Sequence, residues 1–414
     1  MNSTLICQRL DELAALSDIT GEITRLYLSP AHKQAAMLVA RWMNEAGLTT
    51  WHDSLGTVFG RLEGMQADAP TLYIGSHIDT VRNAGRYDGP LGVMLGLAVV
   101  ERVRAAGAAL PFAIEVVAFG DEEGVRFASA LGSSRALAGV FAPALLNELD
   151  QQGISRREAL VAFGCEPDNW ARTAMRPNAI GYVEAHIEQG PVLEAEGLAL
   201  GVVTAIAGCS RGVVQLEGVA GHAGTMPMHM RHDALAAAAE MVLAVERIGR
   251  SDPDLLATIG QLDVAGGAVN TVPGSLRFTL DVRSSIDAKR QGAMRQIEID
   301  IARIAASRGI KARITIGYDA PAAPCDPAFM AALDEAVTAQ GQRSFHLPSG
   351  AGHDGMAFIG KLPIAMLFVR SKGGISHNPD EYSAPEDIQM ALEAMTRFVM
   401  GITLKNSSLQ NSGL

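Results

Sequence analysis

The spacing of hydrophobic and polar positions changes several times along this chain, and each change marks an element. Apolar residues recur at three- and four-residue intervals over 5–16 and 31–46, predicting two opening helices. Residues 49–62 read instead as a strand pair turning about Ser54-Leu55-Gly56, with Trp51, Val58 and Phe59 at its apolar positions. A strand over 72–75, a Gly-rich helix over 89–106 and the apolar strand 113–120 (AIEVVAFG) follow. A short unbroken apolar run of that kind fits a strand buried on both faces of a largely parallel sheet. Strand, helix and strand in this order predict an α/β sheet, whose ligands gather at the carboxyl ends of its strands.

Over 142–177 the pattern weakens into short helices and loops. It recovers in 181–190, GYVEAHIEQG, a strand-like run that ends in polar residues, and in the apolar strand 201–207. The stretch 211–325 then differs in character. It holds a strand at 213–219, an Ala-rich amphipathic helix at 233–248 and an alternating strand at 276–283. A helix at 288–308 and a strand at 312–316 complete it. This α+β pattern predicts a domain, 211–325, inserted into a first domain made of 1–210 and 326–414. The first domain resumes with a helix at 328–340, a Gly-rich loop at 349–355, a buried strand at 364–369 and a loop at 373–379. A closing helix at 386–403 ends the pattern, and the polar residues beyond it are expected to fray. The expected architecture is a mixed, mostly parallel sheet with helices on both faces, plus the inserted α+β domain.

Composition changes this picture little. The 414 residues are 48% hydrophobic and 19% charged, an ordinary globular balance with room for two domains. A formal net charge of −11 argues against nucleic acid as a partner, which calls for a basic face. An anionic substrate remains compatible wherever cations gather locally. Cys7, Cys165, Cys209 and Cys325 form no CxxC pair, which fits a reducing compartment and no thiolate metal site. Asp11 and Glu12 stand in the first periodic segment, where a secretory leader would be basic and then apolar. The longest apolar runs, such as 91–100, fall far short of the ~20 residues of a membrane span. The expectation is a soluble, cytoplasmic protein without a membrane partner.

The chemistry collects at predicted strand ends. Residues 75–89 read GSHIDTVRNAGRYDG, and His77 and Asp79, two apart, leave one face of an extended segment. Asp88 follows after a Gly-containing loop. Asp121-Glu122-Glu123 terminates the buried strand 113–120, His186 lies among Glu184, Glu188 and Gln189, and His377 follows the last strand. Singly, each has a bland alternative: a satisfied loop histidine, or a solvated acidic triplet. Together, three histidines and two or three carboxylates without thiolate suit two divalent ions such as Zn²⁺ or Mn²⁺. One carboxylate can bridge ions ~3.5–4 Å apart, and spacing leaves open which carboxylate does so. Two adjacent carboxylates can also divide the work, one binding metal and one moving protons. The inserted stretch adds Gly221-His222 to Thr225, Asn270 to Gly274, and the pair Asp281 and Arg283, whose bland reading is two turns and a strand-edge salt bridge.

The motifs GSHIDTV, YDG, GDEEGVRF, EAHIEQG, GHAGTMP, NTVPG, SGAGHD and GISHNP, in that order between residues 75 and 379, resemble one family as a set. It is the hydantoinase/carbamoylase branch of the dinuclear-metal aminoacylase and carboxypeptidase superfamily. The resemblance implies that His77, Asp88 and His186 hold one metal ion, and that Asp88 bridges to a second held by Glu123 and His377. It implies Mn²⁺ or Zn²⁺, with Co²⁺ or Ni²⁺ also able to serve. Asp79 would orient His77, and Glu122 would be the general base. The inserted domain would be a dimerisation lid of a homodimer, its His222, Asn270 and Arg283 all serving the neighbouring subunit's site, where His222 would stabilise an oxyanion. Asn270 and Arg283 would hold a substrate carboxylate, and Gln189 and His353 would line a ureido pocket.

The implied substrate is a small ureido acid. In the wider superfamily a carboxylate commonly stands where this chain has His186, which points away from peptidase and aminoacylase activity. Allantoate, cleaved to ureidoglycine, ammonia and CO₂, is the favoured substrate, with N-carbamoyl-L-amino acids as the alternative. A non-catalytic binding protein on this scaffold would have lost the base or ligands, and all are present. A nucleotide-binding enzyme would need GxGxxG or GKS/GKT at a strand-to-helix turn, and neither stands there.

Overall fold

In the computed structural model, which describes residues 2–402, the chain forms two compact units, Met1–Thr204 with Pro324–Leu414, and Ala205–Ala323. The last residue of the expected closing helix and the polar tail lie outside the described residues.

At the centre of the first unit four strands run parallel in the order Ala113–Phe119, Thr71–His77, Ala179–Ile187, Ile364–Val369. The first, second and fourth are buried at every position, including the polar Glu115, Thr71, Ser76 and His77, as strands covered on both faces are. The hairpin Thr49–His52 and Val58–Leu62 pairs antiparallel with Ala113–Phe119 on one side. Leu200–Ile206 pairs antiparallel with Ile364–Val369 on the other. The sheet is therefore mixed, with its parallel strands in the middle.

The helix Pro90–Ala105 lies against three of these strands and is covered in turn by Ser3–Ala14 and Pro385–Gly401. It is buried at twelve positions all round, from Pro90 to Val103. Gly92 and Gly96 weaken it by about 0.8–1.0 kcal/mol each as interior glycines. A Cβ on Gly92 would meet the Ala185 carbonyl oxygen at 2.3 Å, so glycine is what lets the helix approach the sheet. Each buried Leu or Val it brings there stabilises by about 1.5–3 kcal/mol, and the close approach wins. Pro30, Pro327 and Pro385 also open helices at the first turn, where a missing N–H costs nothing.

The second unit has its own core around Val214, Leu216, Met241, Phe278 and Ile297. Its antiparallel strands run in the order Leu262–Ala265, Ser275–Ser284, Gly208–Glu217, Lys311–Ala320, with Leu255–Thr258 also on Ser275–Ser284. The helices Ala234–Gly249 and Asp287–Arg308 pack on each other and on this sheet. Gly208–Glu217 pairs along its whole length with Ser275–Ser284, so this unit begins ahead of the change in pattern at 211. Leu255–Thr258 and Leu262–Ala265 had no sequence signal, being four residues each and mostly solvent-facing. Among the described residues no helix is long and apolar enough to cross a membrane.

Candidate active site

Because the four central strands are parallel, their carboxyl ends share one edge, and the segments leaving that edge carry the first unit's motif residues. The segment after Thr71–His77 is pinned from beneath by the buried Arg25. Its Nε donates to the Ile78 carbonyl at 2.6 Å and its Nη1 to those of Leu13 and Leu16 at 2.8 and 3.0 Å. Asp79 then ties two strand ends together, its carboxylate oxygens accepting the backbone N–H of Glu122 at 3.2 Å and of Glu123 at 3.3 Å. Three non-glycine residues here have left-handed backbone: Asp121 (φ 75°), Gln189 (φ 57°) and His377 (φ 54°). Such strain costs about 1–3 kcal/mol per residue and persists where surrounding contacts enforce it.

Asp88 is the centre of the cluster. Its Oδ1 lies 3.1 Å from His186 Nε2 and 3.8 Å from His77 Nε2, and its Oδ2 lies 3.1 Å from His377 Nε2. His377 Nε2 is also 3.6 Å from Glu123 Oε2, and Glu122 Oε2 is 3.9 Å from His77 Nε2. Among the described residues four groups of donor atoms lie within 4.8 Å of one another: Glu184–His186–His353, His77–Glu122–Glu123, and two built on Asp88, His77–Asp88–His186 and Asp88–Glu123–His377. The last two share Asp88, one oxygen toward each. The ring orientations are set from behind: His186 Nδ1 faces the Ile187 carbonyl at 2.9 Å and His77 Nδ1 the Asp79 carbonyl at 3.0 Å. Both Nε2 atoms are thereby aimed inward. Asp79 meets His77 more closely through its backbone oxygen than through its carboxylate, which is 3.5 Å away.

The electrostatics of this cluster call for positive charge. Burial pushes the Glu122 carboxyl well above its ordinary range, and Glu123, Asp354 and Asp79 push it further. Burial and Asp88 raise Glu123 to about 7. Burial alone would lower His77, yet the hydrogen bond with Asp79 and the fields of Glu122 and Glu123 hold it well above a free histidine. The hydrogen bond to Asp88, joined by the field of Glu123, lifts His377 to about 9. Asp88 stays well below the usual carboxylate range despite its burial because His186 and His377 face it. An all-oxygen-and-imidazole donor set with crowded carboxylates is one that divalent ions such as Zn²⁺ or Mn²⁺ satisfy. The residues present fit two such ions.

Gln189 and His353 also converge here. Gln189 Nε2 donates to Asp88 Oδ2 at 2.9 Å, which fixes the amide's orientation and leaves its buried Oε1 with no partner. The His353 ring is edge-on to His186 with centroids 4.5 Å apart, and Ser349 Oγ lies 2.7 Å from its Nε2. Burial, reinforced by His186, keeps His353 neutral, far below the ordinary histidine value. Sequence reasoning missed Ser376, Glu381 and Asp354. Ser376 could have been found beside His377. Asp354 could likewise have been found beside His353, whereas Glu381 gave no such signal, and only the folded chain places it against Tyr87 and Asp88.

His222, Asn270 and Arg283 lie in the second unit. The two-stranded ribbon of Gly221–His222 with Thr271–Val272 brings the first two together, and the Ala223 N–H donates to the Asn270 carbonyl at 2.8 Å. Arg283 stands near the far end of Ser275–Ser284, where its Nε and Nη2 hold the Asp281 carboxylate at 2.7 and 2.9 Å. The eight residue steps of strand from Ser275 to Arg283 span roughly 26 Å, so one copy of this unit does not bring Arg283 to the ribbon. A cavity of about 850 Å³ in the first unit, lined by Lys33, Trp51, Glu115, Phe163 and Arg172 among others, contains none of the motif residues.

The chain matches peptidase family M20/M25/M40 over residues 73–401, and it belongs to that family. Within it, the chain falls in the hydantoinase/carbamoylase branch and is an amidohydrolase. It is 40% identical to an N-carbamoyl-L-amino acid amidohydrolase of Geobacillus stearothermophilus over 94% of this chain and 95% of that one. It is 37% identical to an allantoate deiminase of Arabidopsis thaliana over 94% of this chain and 81% of that one. A solved hydantoinase/carbamoylase family amidase from Burkholderia multivorans superposes with a TM-score of 0.91 at 34% identity, covering 96% of this chain and 97% of the other.

Proposed function

We propose that this enzyme hydrolyses the terminal ureido C–N bond of allantoate, taking up water and releasing ureidoglycine, ammonia and CO₂. The observation that carries ureido hydrolysis, common to allantoate and N-carbamoyl-L-amino acids, is the unpartnered, buried Gln189 Oε1 beside the cluster. An acceptor held there suits the N–H of a ureido group, and an acceptor left unpaired would cost about 1–3 kcal/mol.

His77, Asp88 and His186 would hold one divalent ion, and Asp88, Glu123 and His377 a second. When bound, the ions supply a lowered pKa for the attacking water and charge neutralisation at the carbonyl oxygen. Glu122 takes the proton from that water and delivers it to the departing nitrogen, which leaves as ammonia. The carbamate left on the other nitrogen then loses CO₂, its C–N bond breaking as that nitrogen takes up a proton to become the amine of ureidoglycine. Burial raises the Glu122 carboxyl, which favours holding the proton between the two halves of the task. His353, kept neutral, turns one face of the pocket toward the ureido group.

The protein would act as a homodimer. Gly224 N–H donates to His222 Nδ1 at 3.1 Å, so the ring carries its proton on Nε2, the form that stabilises an oxyanion. His222 and Asn270 would serve the neighbouring subunit's site. Arg283, exchanging Asp281 for the substrate carboxylate as a two-pronged donor, must enter a given site from a different copy than the ribbon does, because of the length of strand between them. A second reading, hydrolysis of N-carbamoyl-L-amino acids, is supported by the relative of that name at 40% identity.

The deciding experiment is ammonia release by the Mn²⁺-loaded protein from allantoate and from several N-carbamoyl-L-amino acids side by side. A kcat/KM for allantoate far above the others is the expected result. Preference for a carbamoyl amino acid moves the substrate assignment to the second reading, and inertness toward both refutes ureido hydrolysis.

A further inference from the structure

The two metal triads are not held alike. His77 and His186 are buried on strands at the centre of the sheet. His377 lies on a loop, with 49% of its side chain exposed and its backbone in the left-handed region. Something other than the sheet must fix it relative to Asp88.

Glu381 does so. It is buried, and its Oε1 accepts the backbone N–H of Tyr87 at 2.8 Å and of Asp88 at 3.0 Å. Ser376 Oγ, on the residue next to His377, is 3.1 Å from Glu381 Oε2 and 3.0 Å from Asp88 Oδ2. One carboxylate thus clamps the Asp88 segment to the His377 segment, nearly three hundred residues away in sequence. Space has been cleared for it: a Cβ on Gly85 would meet Glu381 Cβ and Oε1 at 2.3 Å. Resting on the reading that Asp88, Glu123 and His377 hold a cation, we propose that Glu381 is the positioning residue that creates this second cation site, while the His77–Asp88–His186 site forms without it.

The hydrogen bonds, rather than the charge, are what the clamp needs. In Glu381→Gln the amide oxygen still accepts both backbone N–H groups. Its NH₂ donates to Ser376 Oγ, freeing the one hydroxyl proton for Asp88. Glu381→Ala removes every contact, and Glu381→Asp keeps the charge but is one methylene too short to span both segments.

The test is Mn²⁺ stoichiometry by mass spectrometry on each purified protein, with the two affinities from titration of free Mn²⁺ by electron paramagnetic resonance. Wild type and Glu381→Gln are expected to bind two ions per chain. Glu381→Ala is expected to bind one tightly, with the second weakened ~10–100-fold, the usual loss when a partner of a ligand is removed. Where the alanine variant does not fold, Glu381→Asp is expected to show the same split. Two ions at wild-type affinity in the alanine or aspartate variant overturns the proposal, as does loss of an ion from the glutamine variant. Equal weakening of both ions marks a general structural role and overturns it too. A wild-type protein that binds no divalent ion refutes the metal centre itself, a failure visible before any variant is made.

Discussion

Arg156 offers the sharpest test of how the base is held. Its guanidinium is fully buried. Nη1 donates to Asp121 Oδ2, and Nη2 donates to the Ser129 carbonyl and hydroxyl at 3.0 Å and to Glu148 Oε2 at 2.9 Å. The group also lies 4.6 Å from the Phe127 ring centroid. Asp121 precedes Glu122 and is held in left-handed backbone, so this network anchors the turn that presents Glu122, the proposed base. Arg156→Met keeps much of the volume and strands the Asp121 carboxylate. Breaking a buried pair from one side costs about 3–5 kcal/mol. Replacing both partners, Asp121→Asn with Arg156→Met, should recover at least half of that, because the fully buried charges are gone and Glu148, partly exposed, keeps the Ser129 N–H. Burial lifts the Asp121 carboxyl to about 7 against the pull of Arg156, so wild type is ionised at pH 8, and loss of Arg156 raises the carboxyl further and makes the variant's deficit grow with pH. Trp42, Trp51 and Trp170 are the chain's three tryptophans and all lie in the first unit, so their fluorescence reports the unit that contains Arg156. With a urea m-value of about 3 kcal/mol/M, the single variant should lower the midpoint by about 1–2 M. A shift below ~0.3 M, or a double variant no better than the single one, refutes the reasoning.

Three further outcomes are expected. Glu122→Gln should lower kcat by at least ~10²-fold, the worth of a positioned base, with Mn²⁺ content unchanged; turnover near wild type sinks the base assignment. Gly89 has φ 82°, and a Cβ there would come within 2.4 Å of the His77 ring, so Gly89→Ala should combine strain and overpacking of about 1–3 kcal/mol each and weaken Mn²⁺ binding; wild-type midpoint and affinity would refute it. His32 is buried beside Phe163, and burial lowers it from 6.5 to about 4. Its folded value is depressed, so its contribution is present above pH 6.5 and is lost as pH falls toward 4, by up to about 1.4 kcal/mol per pH unit. His32→Asn should flatten the urea midpoint between those pH values relative to wild type, and parallel profiles would count against burial as the cause.

Legibility in the sequence followed the physics of burial. The strand predicted at 364–369 is observed as Ile364–Val369, and the helix predicted at 89–106 as Pro90–Ala105, because a continuous apolar run has few ways to leave water. The metal-ligating candidates were legible as well: a parallel sheet puts its polar residues at carboxyl ends, so position along each strand gave them away. Glu381 and Ser376 were not legible, since their partners Tyr87 and Asp88 stand far off in sequence. Nor was the Asp79 carboxylate's hold on the Glu122 and Glu123 backbone, which depends on two neighbouring strands ending at one level. The separation of Arg283 from His222 and Asn270 came only from strand pairing, because adjacency in a motif series carries no distance.

The strand Ile364–Val369 lies between Ala179–Ile187 and Leu200–Ile206, both made long before it. During synthesis the central sheet therefore waits with an open slot while Ala205–Ala323 emerges, at about 5–20 residues per second. Thr204 and Cys325, where the chain departs and returns, end up hydrogen-bonded at 2.9 Å, so the interruption leaves no spatial gap. The nascent chain must hold two unpaired, strongly apolar strand edges for several seconds or more, and chaperone dependence and yield should respond to changes in the inserted unit that never touch the chemistry. His377 and Glu381 follow every strand of that sheet, so the candidate metal cluster is complete only when little but the closing helix Pro385–Gly401 remains to be made.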